Sequence, residues 1–200
     1  MKILNFEDRE AWLESRKGKI TSTRLGDVVV KRGTGRKKAF YELIAEQVAL
    51  PPDGENPMDR GNRLQDEAIE KFKEQIGKEV ETGLILWMRD DNEDIAVSPD
   101  GFIGETEAVE VKCLNSASHI EALLTDEIPG EYEFQVLQYF IVNNKLETLY
   151  FCFYDDRLSV KNFFYKTIKR EDVQDDVITY LEYERKLLED VKEIVTKLTF

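Results

Sequence analysis

The residues best suited to chemistry lie close together. Ser98-Pro99-Asp100-Gly101 is followed, ten residues after the aspartate, by Glu110-Val111-Lys112. In a strand, side chains alternate between faces. Glu110 and Lys112 then share one face, while Val109 and Val111 point the other way and mark the core side. A carboxylate and an ammonium project together from a strand whose back is buried. Asp100, at a turn after a short strand, reaches Glu110 if the two strands pair as a hairpin. Two carboxylates near one lysine suit metal-assisted phosphodiester hydrolysis. Magnesium prefers oxygen ligands and commonly takes one or two carboxylates plus substrate phosphate. It polarises the phosphoryl oxygen and lowers the pKa of a bound water. Lys112 would orient that water or neutralise charge building in the transition state. An acid-x-Lys triplet alone is equally a surface ion pair on an edge strand, and the preceding Pro-Asp-Gly turn is what adds weight.

The elements that must position these residues read as α/β. Short helices are expected over residues 7–15 and 21–31, with hydroxyls at Thr21–Thr23 suited to an N-cap. A helix over 36–49 places Phe40, Leu43, Ile44 and Val48 on one face. Pro51, Pro52, Gly54 and Pro57 mark a loop, and a helix over 58–76 ends at Gly77. Strands follow over 79–88, 95–98 and 108–114, then helices over 116–126 and 131–143 separated by Ile128-Pro129-Gly130. The aromatic and apolar run 148–154 reads as a buried strand, with 159–166 as its hairpin partner. Residues 171–198 repeat apolar side chains at helical spacing and form a long last helix.

Composition narrows the function. The chain has 200 residues, long enough for a stable core without disulfides. Its two cysteines, Cys113 and Cys152, sit in apolar strand-like runs and read as buried free thiols, which fits a reducing cytoplasm. No apolar stretch is long enough to span a membrane, and the charged first 14 residues lack a signal core. The net charge of −13 opposes general nucleic-acid binding. Residues 16–38 nevertheless hold nine Lys/Arg against one acid, Asp27, a local charge of +8 that leaves −21 on the rest. Such a patch on an acidic body can hold a phosphate backbone in one place and repel it elsewhere; charge alone equally describes a solvated basic face. The single histidine, His119, rules against Ser-His or Cys-His machinery. The aromatic run from Tyr150 to Tyr165 reads as sheet core rather than a base-stacking platform.

Pro99-Asp100 followed by Glu110-x-Lys112 resembles the PD-(D/E)XK nuclease signature, and more of the chain resembles one branch of it, the lambda-exonuclease and YqaJ-like viral recombinases. Trp12-x-x-x-Arg16-x-Gly18-x-Ile20-Thr21, with Thr23 two places on, is similar to that branch's opening motif. Arg60-Gly61 through Ala68 resembles its second helix. Lys112-Cys113, His119-Ile120, Ile128-Pro129 and Tyr132-x-x-Gln135 match the segment after the catalytic strand. The motifs span residues 12 to 156.

The resemblance implies a single nuclease domain over 1–200. A helical part at 1–76 would carry the basic patch, 79–166 the catalytic sheet and helices, and 171–198 the last helix. The fold would be a restriction-endonuclease-like core with a small central mixed sheet flanked by helices. It implies Mg²⁺, or Mn²⁺, held by Asp100 and Glu110 with the Val111 carbonyl as a further ligand. Lys112 would be the catalytic lysine, and Gln135 would place the lysine, the water or the phosphate. Arg16 and Thr23 would contact a 5′-terminal phosphate, with Ser98 and His119 as further DNA contacts; helix packing is an equal reading for His119. The implied activity is 5′-to-3′ digestion of linear duplex DNA ends, leaving 3′ single strands for recombination. It would come from a phage or prophage protein in a bacterial cytoplasm, as a homo-oligomer beside a single-strand annealing protein.

The chain departs from the family in two places. A metal-associated glutamate is expected four residues after Gly61, where Gln65 stands; the nearest acid is Glu67. Helix positions two apart point about 200° apart, so Glu67 is a poor substitute on one face, and Gln65 would hold a water, coordinate weakly, mark an altered site, or be an engineered glutamate-to-glutamine change that slows cleavage. The end-phosphate arginine of lambda-type enzymes is absent near Ser118. Two competing readings follow: an endonuclease on the same fold, and a catalytically weakened DNA-end-binding module.

Overall fold

A computed structural model describes residues 1–30, 39–40, 43, 59–114, 116–156, 158 and 161–199, with backbone alone at 59–63, 116–118 and 120. The elements run β1 (Lys2–Phe6), α1 (Arg9–Ser15), α2 (Ser22–Val28), α3 (Asp59–Ile76), β2 (Leu84–Met88), β3 (Ala96–Val97), β4 (Gly101–Ile103) and β5 (Glu107–Lys112). They continue with α4 (Ser116–Thr125), a 3₁₀ turn (Gly130–Tyr132), α5 (Glu133–Val142), β6 (Thr148–Tyr154), β7 (Phe163–Lys169) and α6 (Arg170–Thr199). The helix expected over 36–49 lies almost wholly outside the described residues; Ala39, Phe40 and Leu43, which are described, are helical and buried. Lys31, Arg32, Arg36, Lys37 and Lys38 of the basic segment, and the proline-rich loop after it, also lie outside them. Among the described residues no helix is long and apolar enough to cross a membrane.

The strands form two small sheets rather than one central sheet, in the orders β1-β2-β3 and β4-β5-β6-β7. The second is mixed: β5 pairs antiparallel with β4 and parallel with β6, and β6 pairs antiparallel with β7. A parallel pair cannot be closed by a tight turn. The chain crosses between β5 and β6 through α4, the 3₁₀ turn and α5. The crossover lays α5 against the sheet beside β5.

Alternation along β5 divides its side chains as the sequence requires. Val109 and Val111 pack with Leu64, Ala68, Ile69 and Phe72 of α3, and with Tyr150, Cys152 and Tyr154 of β6. Ala108 joins the larger core, with Leu137, Phe140 and Ile141 of α5 and Phe151 and Phe153 of β6. Every residue of β6 is buried, as its aromatic run leads one to expect. Phe72 is fully buried, with its ring 5.0 Å from that of Tyr150 and 5.3 Å from that of Tyr165. A ring so enclosed contributes roughly 1.5–3 kcal/mol of burial energy. Gly77 closes α3 in the left-handed region at φ 67°, the usual glycine helix stop.

Two strands are not in the sequence reading. β1 is a short edge strand whose Leu4 and Phe6 pack on Leu86, Met88 and Ala96; two inward apolar residues are too few to register as a period. β4 was expected to be only a turn. The segment 95–98, expected to form the hairpin with 108–114, instead pairs through Ala96 and Val97 with β2. The hairpin partner of β5 is β4. A Cβ on Gly101 would sit 2.6 Å from Val80 Cγ1, so glycine lets β4 pass against that neighbour.

The last helix is anchored at its start. Arg170 donates to the carbonyls of Leu146, Phe140 and Asn143, which binds α6 to the C-terminal end of α5. Further along, Glu184 is wholly buried beside Gln138 of α5, and burial holds its carboxyl well above the usual carboxylate range despite Gln138 and the charge of Arg89. In the unfolded chain this acid ionises near its ordinary value of 4.5, while in the folded chain it keeps its proton to higher pH. The folded state therefore binds more protons above that value, and stability falls as pH rises through the window. Glu184→Gln is expected to unfold at higher temperature than the parent at pH 8, with the advantage shrinking towards pH 4. A difference in Tm that stays constant from pH 4 to pH 8 would remove this assignment.

Candidate active site

The site forms where β4, the C-terminal half of β5, α3 and α5 meet. Asp100 immediately precedes β4, and hairpin pairing of Gly101 with Val109 brings it alongside β5. Its Oδ2 accepts the Val111 amide N–H at 2.7 Å, and its Oδ1 accepts from Gln65 Nε2 of α3 at 2.8 Å. Glu110 is 3% exposed on the central strand of its region. Its Oε1 accepts from Lys112 Nζ at 2.6 Å and from Gln135 Nε2, and its Oε2 accepts from the Tyr139 hydroxyl. Tyr139 also lies in the field of Asp100.

The electrostatics follow from this crowding. Burial first, then the charge of Glu110, pushes the Asp100 carboxyl well above the usual carboxylate range; Lys112, the Val111 N–H and Arg16 offset part of it. Burial, Glu110 and Asp100 likewise push the Tyr139 hydroxyl well up, so it stays a donor. Arg16 lies in the field of Glu110 and Asp100, its guanidinium 4.7 Å from the centre of the Trp12 ring. Burial lowers its pKa, the two acids raise it, and nearby Arg24 lowers it again. Lys112 Nζ lies 5.0 Å from the centre of the Tyr132 ring, which confines it to the site. Cys152 is buried and its thiol is pushed well up by burial and the two acids, so it is inert, as expected of a structural thiol.

Asp100 with Gln65 and the Val111 amide, and Glu110 with Lys112 and Gln135, therefore form two neighbouring hydrogen-bonded groups, with Arg16 in the field of both acids. Four expected residues stand differently. Glu67 accepts from the Tyr154 hydroxyl at 2.8 Å on another face of α3. Among the described residues no set of three His, Cys, Asp or Glu is placed to hold a metal, so Glu67 does not join Asp100 and Glu110; the helical angle between positions 65 and 67 is the reason. His119 is fully buried, its ring 5.0 Å from that of Phe164 and its Nε2 2.8 Å from the Lys161 carbonyl oxygen. It packs and offers DNA no surface. Thr23 is exposed in the first turn of α2, 3.4 Å from the buried Thr21 hydroxyl, and Ser98 is half-buried, its Oγ enclosed without a partner among the described residues.

Tyr139 was missed. Its signal was available, since Gln135 and Tyr139 stand four apart on one helix and so share a face. The donor set suits a hard divalent cation. Two carboxylates supply oxygen ligands, and a buried Asp100 whose ionised form is disfavoured is what a cation relieves. Among the described residues the cluster's bonded side chains offer carboxylate and amide oxygens, which suit a hard cation rather than zinc.

Residues 11–146 match the YqaJ-like viral recombinase domain, and the chain belongs to that family. Two solved structures of one enzyme share its fold over nearly the whole length. The alkaline exonuclease LHK-Exo from Laribacter hongkongensis superposes with TM-score 0.74 at 28% identity, covering 95% of this chain and 100% of that one. LHK-Exo in complex with dAMP gives TM-score 0.74 at 29% identity over the same shares. A phage related exonuclease from Haemophilus somnus 129PT has the same fold, with TM-score 0.63 at 11% identity, covering 90% of this chain and 96% of that one. No curated protein gives a significant match. The family and these likenesses support a nuclease.

Tyr139→Phe leaves Glu110 Oε2 buried without its donor, a loss of about 1–3 kcal/mol. The variant is expected to unfold at lower temperature and to cleave DNA with reduced kcat and nearly unchanged KM. Parent-like unfolding and kcat would show that the hydroxyl does not hold the carboxylate.

Proposed function

We propose that this protein is a metal-dependent exonuclease that digests linear duplex DNA from its 5′ ends and leaves 3′ single strands for recombination. The observation that carries the reading is the gathering of Asp100, Glu110, Lys112 and Gln135 at one end of β5, with buried Glu110 bonded to Lys112 and Gln135 and Asp100 held by the Val111 N–H. The dAMP bound by LHK-Exo supports it, because a mononucleotide is the fragment that stepwise digestion releases.

Asp100 and Glu110 hold Mg²⁺ or Mn²⁺ in this reading, with the Val111 carbonyl available as a further ligand. The bound ion supplies a polarised phosphoryl oxygen and a water of lowered pKa. Lys112, held over Tyr132 and against Glu110, orients the attacking water and neutralises charge on the phosphoryl oxygens. Gln135 and Tyr139 fix Glu110 so that its oxygens need no reorganisation. Water attacks phosphorus, the bond from phosphorus to O3′ breaks, and the leaving oxygen takes a proton. Arg16, stacked on Trp12 and near the acids, is placed to meet a terminal phosphate, with Thr23 in the adjacent helix turn. A homo-oligomer and a single-strand annealing partner come with the family resemblance.

One observation favours a second reading, a DNA-end-binding module with weakened cleavage: Gln65 occupies Asp100 Oδ1 with a donor. Digestion of linear duplex DNA labelled at either 5′ or 3′ end, with Mg²⁺ or EDTA, separates the two. Release from the 5′ end that EDTA abolishes is expected. End binding without release under any metal would install the second reading, and cutting of circular DNA would make the enzyme an endonuclease. Lys112→Ala is expected to lose cleavage by at least about a hundredfold while DNA binding is kept; parent-like cleavage would remove Lys112 from its role. Arg16→Ala should impair digestion of 5′-phosphorylated ends more than of 5′-hydroxyl ends, and equal losses would argue against a phosphate contact there.

A further inference from the structure

All four carboxylate oxygens of the site already accept a hydrogen bond. Asp100 Oδ2 is held by the Val111 N–H and Glu110 by Lys112, Gln135 and Tyr139. Those donors come from the backbone, from a buried helix face or from the lysine. Asp100 Oδ2 and Glu110 Oε2 each keep a further lone pair, so their donors can stay when a cation arrives, while Glu110 Oε1 is already shared by Lys112 and Gln135. The bond at Asp100 Oδ1 is of another kind. Its donor is the terminal amide of half-buried Gln65, at 2.8 Å, on a separate helix that faces the site from the other side of β5.

We propose that Gln65 is a brake on cation loading: its Nε2 holds the Asp100 oxygen that a divalent ion must take, so the free enzyme binds metal weakly. The inference rests on the two-carboxylate reading of the site given above. An amide turned the other way would offer its oxygen to the ion, but only after giving up a charge-assisted bond to Asp100. A carboxylate at position 65 would behave oppositely. It has no proton to donate when ionised, it repels Asp100, and it adds a negative charge that a cation relieves. The cationic neighbours act with Gln65. Lys112 and Arg16 both lie in the field of Asp100 and balance the charge of the two acids. A site so neutralised has little net attraction for a free ion. A DNA phosphate adds the missing negative charge and a further oxygen ligand, so metal and DNA load together. By linkage, each tightens the other to the same degree.

The test is Mn²⁺ titration of the full chain, with free ion followed by electron paramagnetic resonance in the absence of DNA. It compares the parent with Gln65→Met, which removes the donor at similar size, with Gln65→Glu, which adds charge, and with Asp100→Asn. Thermal unfolding of each variant checks that it is folded. The expected order of affinity is Gln65→Glu, then Gln65→Met, then the parent, with the first at least about tenfold tighter than the parent, as a change of about 1.4 kcal/mol would give. Parent affinity equal to or above that of Gln65→Met would overturn the brake and make the amide oxygen a ligand. Absence of binding in all three would overturn it too. Affinity unchanged in Asp100→Asn would instead sink the two-carboxylate reading on which it rests.

Discussion

The Glu110 carboxylate is buried in the middle of a sheet, and much of the surrounding structure answers that one constraint. An ionised carboxylate removed from water without partners is costly by many kcal/mol. Here it collects an ammonium from its own strand and two neutral donors from α5. Gln135 and Tyr139 must stand one helical turn apart on the face turned to β5, which sets the rotation of α5 about its axis. The crossover that the parallel β5–β6 pair demands puts α5 where those donors are needed. A topological requirement of the sheet and an electrostatic requirement of the acid are met by the same helix.

The two faces of the sheet carry different loads. On one, α3 packs apolar side chains on Val109 and Val111 and sends Gln65 past them to Asp100. On the other, α5 packs Leu137, Phe140 and Ile141 into the larger core while its polar residues hold Glu110. Glu110 and Lys112 lie in the last three residues of β5, next to its parallel neighbour. Sites on α/β sheets gather at the carboxyl ends of strands for this reason: chain leaves the sheet there and opens a crevice between helix and strand.

Charge adds a further condition. The chain is acidic, with net charge −13, yet Arg16 and Lys112 stand near the two acids, with Arg24 in the field of Arg16. Local positive charge on a repelling body places a polyanion at one spot. Arg16 is half-buried, and the acids it faces offset part of the lowering that burial imposes. Its stacking on Trp12 spares a charged group from needing a full set of hydrogen-bond partners.

The sequence alone determined the elements whose patterns are long or dense: α3 with its glycine stop, the aromatic strand β6, the crossover helices and the thirty-residue α6. It also determined that Glu110 and Lys112 share a face, because a period of two along a strand leaves no other choice. Asp100, Gln135 and Arg16 were legible through the motif they complete. The tertiary structure decided what depends on neighbours distant in sequence. β1 and β4 are too short to announce themselves and exist because β2 and β5 offer them edges. His119 turned inward because Phe164 and the Lys161 carbonyl receive it, and Glu67 turned to Tyr154. The bond from Gln65 to Asp100 and the part played by Tyr139 belong to the same class. Local spacing fixes which way a side chain leaves its own element; only packing of one element on another fixes what it meets.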